Sequence, residues 1–203
     1  NALSFAGEQV ALTVQKRMWL TARDPDPPLE VRLETGYRFN RRAYSSAAYD
    51  NACAESAPAD PNCRRPLGDL ARTDSFHMAW LEVGYFGDWL GSARYEVQAN
   101  ASNSFGESLL RQRVILTATT LLFADIFLTA RVVGQMTRFR DPLLLSGDLG
   151  TFLTIEDENR NAVLAHVSRA VGAHTTLEAR WGFYTNELTS SSDLTFRRQT
   201  VYL

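Results

Sequence analysis

Residues 29–40 read LEVRLETGYRFN, and one alternation runs through them without a break. Leu29, Val31, Leu33, Thr35, Tyr37 and Phe39 take one set of positions, and Glu30, Arg32, Glu34, Gly36, Arg38 and Asn40 take the other. Successive side chains of an extended chain point to opposite sides of a sheet, so the stretch predicts a strand with one apolar and one strongly polar face. Periodicity alone does not say which face is wet. Turned inward, the apolar face makes an ordinary core; turned outward, it requires surroundings as apolar as itself.

Working outward, the same period recurs along the chain and predicts about nine strands, with no convincing amphipathic helix. The first is VALTVQKRMWLTA (10–22), interrupted on its apolar side only by Lys16. The proline-rich RDPDPP (23–28) separates it from the opening stretch, and the segment from Arg41 to about Asp74 reads as a long connection. A third strand spans Ser75 to Phe86, turns at GDWLG (87–91) and returns as SARYEVQANAS (92–102). Next come LLRQRVILTATTLLF (109–123) and IFLTARVVGQMTRF (126–139), joined by a tight turn near Ala124 and Asp125. A second long loop, about Arg140 to Arg160, precedes NAVLAHVSRAV (161–171), TTLEARWGFYTNE (175–187) and LTFRRQTVYL (194–203). Connections after strands one, three, five and seven are short, and those after two, four, six and eight are longer and more polar. An up-and-down meander therefore carries its tight turns at one end and its long loops at the other, as outer-membrane barrels do.

Composition narrows the classes. The chain has 203 residues, 45% of them hydrophobic, which excludes a disordered tail. A net charge of −2 and the absence of a basic patch argue against a nucleic-acid surface. No apolar run is long enough for a transmembrane helix, although a membrane barrel gives no such run. Cys53 and Cys63 flank the polar segment AESAPADPN, and a local disulfide in an oxidising compartment is the favoured reading over two free thiols or half a metal site.

The side facing the interior is predicted from the polar stripes. Glu30, Arg32, Glu34 and Arg38, then Arg94, Glu96 and Gln98, then Arg111 and Arg113, Arg131 and Gln135, and Glu178 and Arg180 form dense mixed-charge ladders that can pair across a narrow lumen. Gly36 and Gly182 lie on these polar faces, where a crowded lumen leaves little room. Trp19, Tyr37, Phe39, Tyr85, Phe86, Trp89, Phe123, Phe127, Phe139, Phe183 and Tyr184 gather near strand ends, where rings suit the two membrane interfaces. A soluble lipocalin-like ligand-binding barrel shows the same period with the faces exchanged.

The meander, its turn and loop asymmetry, and the segments NAVLAHVSRAVGAHTTLEARWGFY (161–184) and FRRQTVYL (196–203) resemble bacterial outer-membrane β-barrel proteins over nearly the whole chain. The likeness is architectural and carries no signature of one family. It implies one all-β domain over residues 1–203, an up-and-down antiparallel transmembrane barrel in the bacterial outer membrane, in contact with membrane lipids, lipopolysaccharide and other envelope proteins. The implied role is structural, as the anchor of a cell-envelope assembly, or a narrow pore, without enzyme activity or cofactor. Barrels of that group close with a strand ending in an aromatic residue, whereas this chain stops at Tyr202 and Leu203, and nine strands break the usual even count. The expectation is therefore either a barrel of about ten strands with a piece missing, for which the first residues are too short unless Ala2 to Ala6 form a stub, or one part of a larger barrel.

Chemistry is sparsely signalled. His166 and Ser168 share one strand face, but side chains two apart lie roughly 6.5 to 7 Å from each other, so a lipid-hydrolase pair is the third and weakest reading. His77 and His174 read as exposed polar residues, and no three-ligand metal spacing occurs. Glu156, Asp157 and Glu158 read as a solvated loop, with cation bridging to lipopolysaccharide as the sharper alternative. The NAS triplet at Asn100 matches a glycosylation acceptor inside a strand and carries little information.

Overall fold

A computed structural model describes residues 5–20, 29–51, 64–123, 125–140, 159–171, 175–187 and 196–202. These form nine strands and no helix: β1 (Phe5–Leu20), β2 (Leu29–Asn51), β3 (Arg64–Phe86), β4 (Trp89–Ser102), β5 (Leu109–Leu121), β6 (Ile126–Phe139), β7 (Asn159–Ala170), β8 (Thr176–Glu187) and β9 (Phe196–Tyr202). All belong to one antiparallel sheet in which each strand pairs with its neighbours in sequence order. The connections segregate as the sequence predicts, since Gly87 and Asp88 alone join β3 to β4 while residues 140–158 separate β6 from β7. The turn at 122–125 closes with Leu122 N–H donating to the Ile126 carbonyl at 2.7 Å. Asp125 adopts φ 59° there, a left-handed conformation that Asp tolerates better than most residues.

Two expectations need correction. The first strand begins at Phe5 and runs unbroken to Leu20, so Phe5 and Ala6 belong to β1 and form no separate stub. The segment from Arg41 to Asp74 is largely strand, because β2 continues to Asn51 and β3 starts at Arg64, each 23 residues long. Register shifts between Ala43 and Ala47 and between Ala47 and Tyr49 break the two-residue period there, which hides the pairing from a periodicity reading. The sheet is open: among the described residues β1 pairs only with β2 and β9 only with β8.

Register fixes the two faces. Lys16, Leu33, Val83, Ala93, Leu116, Val132, Val163, Phe183 and Gln199 are successive partners across all nine strands, so seven apolar residues stand in one line with polar ones only on the two edge strands. This face is the open one. Leu12, Val14, Leu81, Leu116, Val132 and Val201 are 42–68% exposed. On the opposite face Asp74, Trp80, Glu96, Gln135 and Thr137 are buried. A single-layer sheet hides side chains on one side only by curling over them, so the polar face is the concave one.

Energetically the arrangement is inverted for water. Ala48 and Trp80 are the only buried hydrophobic residues among those described. The chain exposes 14068 Å², whereas a water-soluble fold of its 22.8 kDa exposes roughly 9,600 Å² by area scaling. Burial of apolar surface is the dominant favourable term in folding, and here it has nowhere within the described chain to act.

Candidate functional site: the ionic face of the sheet

All the residues predicted to point inward, Glu30, Arg32, Glu34, Arg38, Arg94, Glu96, Gln98, Arg111, Arg113, Arg131, Gln135, Glu178 and Arg180, fall on the concave face by register. Strand alternation puts them there, and hairpin pairing brings successive stripes side by side. The product is a chain of contacts that crosses the sheet at right angles to the strands.

Its central members are Arg32, Glu82, Arg94, Glu96, Arg113 and Gln135, one or two from each of β2 to β6. Glu82 lies 3.9 Å from Arg32 and 3.4 Å from Arg94. Glu96, buried, stands between Arg94 Nε at 2.7 Å and Arg113 at 3.3 Å. The first of these is a charge contact lacking hydrogen-bond alignment, for Arg94 Nε has no hydrogen-bond acceptor. Arg113 also donates twice to Gln135 Oε1, at 3.0 and 3.2 Å. Breaking a buried pair leaves an uncompensated charge, so each member holds the next in place. Glu82 escaped sequence reading because Phe76, Met78 and Trp80 share its face in β3 and blur the polar stripe.

Trp80 organises the middle of this face. Its indole Nε1 donates to Glu34 at 3.1 Å, and its carbonyl accepts from the Thr35 hydroxyl at 3.0 Å. Guanidiniums of Arg94 and Arg38 lie 5.1 and 5.9 Å from its ring centroid, a cation–π placement. The ring lies flat over Gly36, where a Cβ atom would meet Trp80 Cζ2 at 2.1 Å. Gly182 plays the same part for Tyr184 and Leu164, whose atoms come within 2.8 to 3.1 Å of its missing Cβ. Glycine is therefore a steric requirement at 36, whereas at 182 an added Cβ would have to displace the end of the Tyr184 side chain.

Where the long β2 and β3 rise past β4, a second cluster forms that the sequence did not suggest. Asp74 is fully buried and accepts two hydrogen bonds from Arg72, at 3.1 and 2.6 Å. Arg72 also pairs with Glu107 at 3.1 Å and lies 4.5 Å from the Tyr44 ring centroid. Burial pushes the Arg72 guanidinium down, but the Asp74 hydrogen bond and the charges of Glu107 and Asp74 outweigh it and hold its pKa above the ordinary value.

Candidate catalytic residues assemble differently from an active site. His166 Nε2 lies 3.5 Å from Glu178, and that carboxylate is already taken by Arg180 at 2.5 Å. His77 is exposed, and its Nδ1 is 2.7 Å from the Tyr37 hydroxyl and its ring 5.0 Å from Phe39. Asn100 is buried and donates to the Glu107 carbonyl at 2.8 Å. Cys53, Cys63, Glu156, Asp157, Glu158 and His174 lie outside the described residues.

The aromatic residues divide between the faces. Tyr85 and Trp89 stack at 4.5 Å on the apolar face at the tight-turn end, and Tyr37 and Phe39 stand on that face toward the loop end. Trp19, Phe86, Phe127, Phe139 and Tyr184 belong by register to the ionic face, which corrects their assignment to a membrane-facing belt. Phe86 instead carries the Arg32 guanidinium 4.8 Å from its centroid.

Two hollows open on the concave side. One, of about 390 Å³, lies between β3 and β6 and is lined by Glu82, Ser92, Arg94, Glu96, Arg113, Ile115, Thr117 and Arg131. The other, about 1260 Å³ and more apolar, runs along β6 to β9 past His166, Arg180 and Tyr184. Arg131 borders both. No protein-family model matches this chain, and comparison with curated proteins and with solved structures found no match either.

Proposed function

We propose that this chain forms the wall of a bacterial outer-membrane β-barrel that anchors a cell-envelope assembly and encloses a narrow polar bore. One observation carries the reading: large apolar side chains of nearly every strand are exposed, while Asp74, Glu96, Gln135 and Thr137 on the ionic face are buried and only two hydrophobic residues are hidden from solvent among those described. Exposed apolar area of this extent marks contact with a membrane or another protein. Strands of 12 to 16 residues, as in β1 and β4 to β8, exceed the 9 to 11 or so needed for a tilted crossing of the hydrocarbon layer. A lipocalin-like barrel is disfavoured because its concave side holds an apolar ligand, whereas this concave side holds Arg32, Glu82, Arg94, Glu96 and Arg113. The bore is narrow because barrels of about this strand number are filled largely by their own side chains.

Membrane extraction tests the proposal. Exported in a Gram-negative host, the chain should sediment with outer membranes, survive alkaline carbonate and be released only by detergent. Recovery of folded chain in the aqueous fraction without detergent would overturn the membrane role and return the soluble barrel to first place.

A further inference from the structure

Charge on the concave face is not balanced. Across the middle rows of β2 to β6 stand Arg32, Arg38, Arg94, Arg111, Arg113 and Arg131, against three carboxylates, Glu34, Glu82 and Glu96. The whole chain is net −2, so the surplus of arginine belongs to this face and not to composition. Most of the guanidiniums are engaged: Arg32 and Arg94 by Glu82, Arg113 by Glu96 and Gln135, and Arg111 by Thr137 at 3.3 Å. Arg131 makes no hydrogen bond or ion pair with any described residue, and it projects where the two hollows meet.

Its neighbours complete a recognisable set of donors. Ser92, Thr117 and Arg131 are successive partners across β4, β5 and β6, which places two hydroxyls in line with the free guanidinium. Arg94 is two residues along β4 from Ser92, and both line the smaller hollow with Arg113. Within that hollow three guanidiniums face two carboxylates, and Glu96 is already held between two of the three. Arginine presents a planar fork of donors that matches a tetrahedral or planar oxyanion, and hydroxyls supply further donors without adding charge. A volume of about 390 Å³ admits such an ion with part of its water shell.

We infer that this hollow is a binding site for a small inorganic oxyanion of the phosphate or sulfate class, with Arg131 as its principal ligand and Ser92 and Thr117 as hydroxyl donors. The inference rests on the bore proposed above for the route by which a solute arrives, while binding itself requires only the folded sheet. Arg131, at the junction of the hollows, then gives an anion passing along the concave face a place to pause between them.

Calorimetric titration of inorganic phosphate into the full chain folded in lipid-free maltoside micelles, at low ionic strength, tests it. Saturable binding is expected, weakened about tenfold or more by Arg131→Gln through loss of a charge-assisted contact. It should be partly restored by Arg131→Lys and weakened to a smaller degree by Thr117→Val. Because Arg131 is exposed and has no partner among the described residues, Arg131→Gln should keep the wild-type circular dichroism and melting point. Absence of saturable binding up to about 10 mM phosphate, or equal affinity in folded Arg131→Gln, overturns the site. Binding of phosphatidylglycerol without binding of phosphate would identify a lipid-headgroup site and overturn it too. Chain that binds phosphate in micelles but remains aqueous on extraction keeps the site and removes the membrane role, so the two failures are separable.

Discussion

Replacing Leu116 by arginine separates a lipid-facing surface from a water-facing one. Leu116 is 45% exposed on the apolar face, in the line that runs from Lys16 to Gln199. The end of β5 at Leu121 is five residues away, about 17 Å along the strand, or roughly 13 Å along the bilayer normal at a 40° tilt. That is close to half the hydrocarbon thickness, so in the proposed barrel Leu116 would sit near the midplane, where an arginine on the lipid face costs about 2–4 kcal/mol. In water the same exchange at an exposed site costs less than about 0.5 kcal/mol. Thr119→Arg, on the ionic face of the same strand, is the control; it loses the 3.0 Å hydroxyl contact with Thr129, worth about 1 kcal/mol. The assay is urea unfolding of each variant folded into thin phosphatidylcholine vesicles, followed by tryptophan fluorescence. We expect Leu116→Arg to cost about 3 kcal/mol and Thr119→Arg about 1. A cost below about 0.5 kcal/mol for Leu116→Arg, or one no larger than the control, refutes the assignment of faces.

Gly36→Val should drive the Trp80 ring off its seat and break its bond to Glu34, because the new Cβ would meet the ring at 2.1 Å. The expected cost is about 1–3 kcal/mol, with a red-shifted emission, and an unchanged spectrum would disprove the packing. Asp74→Asn should destabilise the chain by about 3 kcal/mol, since it removes the fully buried charge that binds Arg72 and leaves only Glu107 opposite the guanidinium. Asp74→Asn melting within a degree of wild type would show that the pair does not matter.

Alternation made most of this fold legible because each strand from β4 to β8 keeps a single register and its two faces differ chemically. Leu29 to Asn40 and Ala93 to Ala101 could be assigned residue by residue. The reading failed where another constraint replaced the period. Between Ala43 and Tyr49 the ladder slips, and small residues on both sides erase the contrast. In β3, Phe76, Met78 and Trp80 sit among polar partners on the concave face, Trp80 because Gly36 opens a space for it, so Glu82 looked isolated. The Arg72, Asp74 and Glu107 cluster joins residues that local pattern cannot connect, and the hollow beside Arg131 exists only once four strands are aligned.

Among the described residues, the sixteen of β1 are hydrogen-bonded along one side only. Roughly half of their amides and carbonyls, about eight of each, therefore point away from the sheet. In hydrocarbon every orphaned backbone group costs several kcal/mol, so the total penalty runs to tens of kcal/mol, more than the partition of a few leucines and valines can offset. If the chain is the barrel wall proposed above, passage into a bilayer and the zipping of that bare margin against another strand would have to occur as one thermodynamic event. On the proposed membrane role, a half-inserted ribbon would have no stable existence, and whichever strand first met β1 would decide when the molecule entered the bilayer.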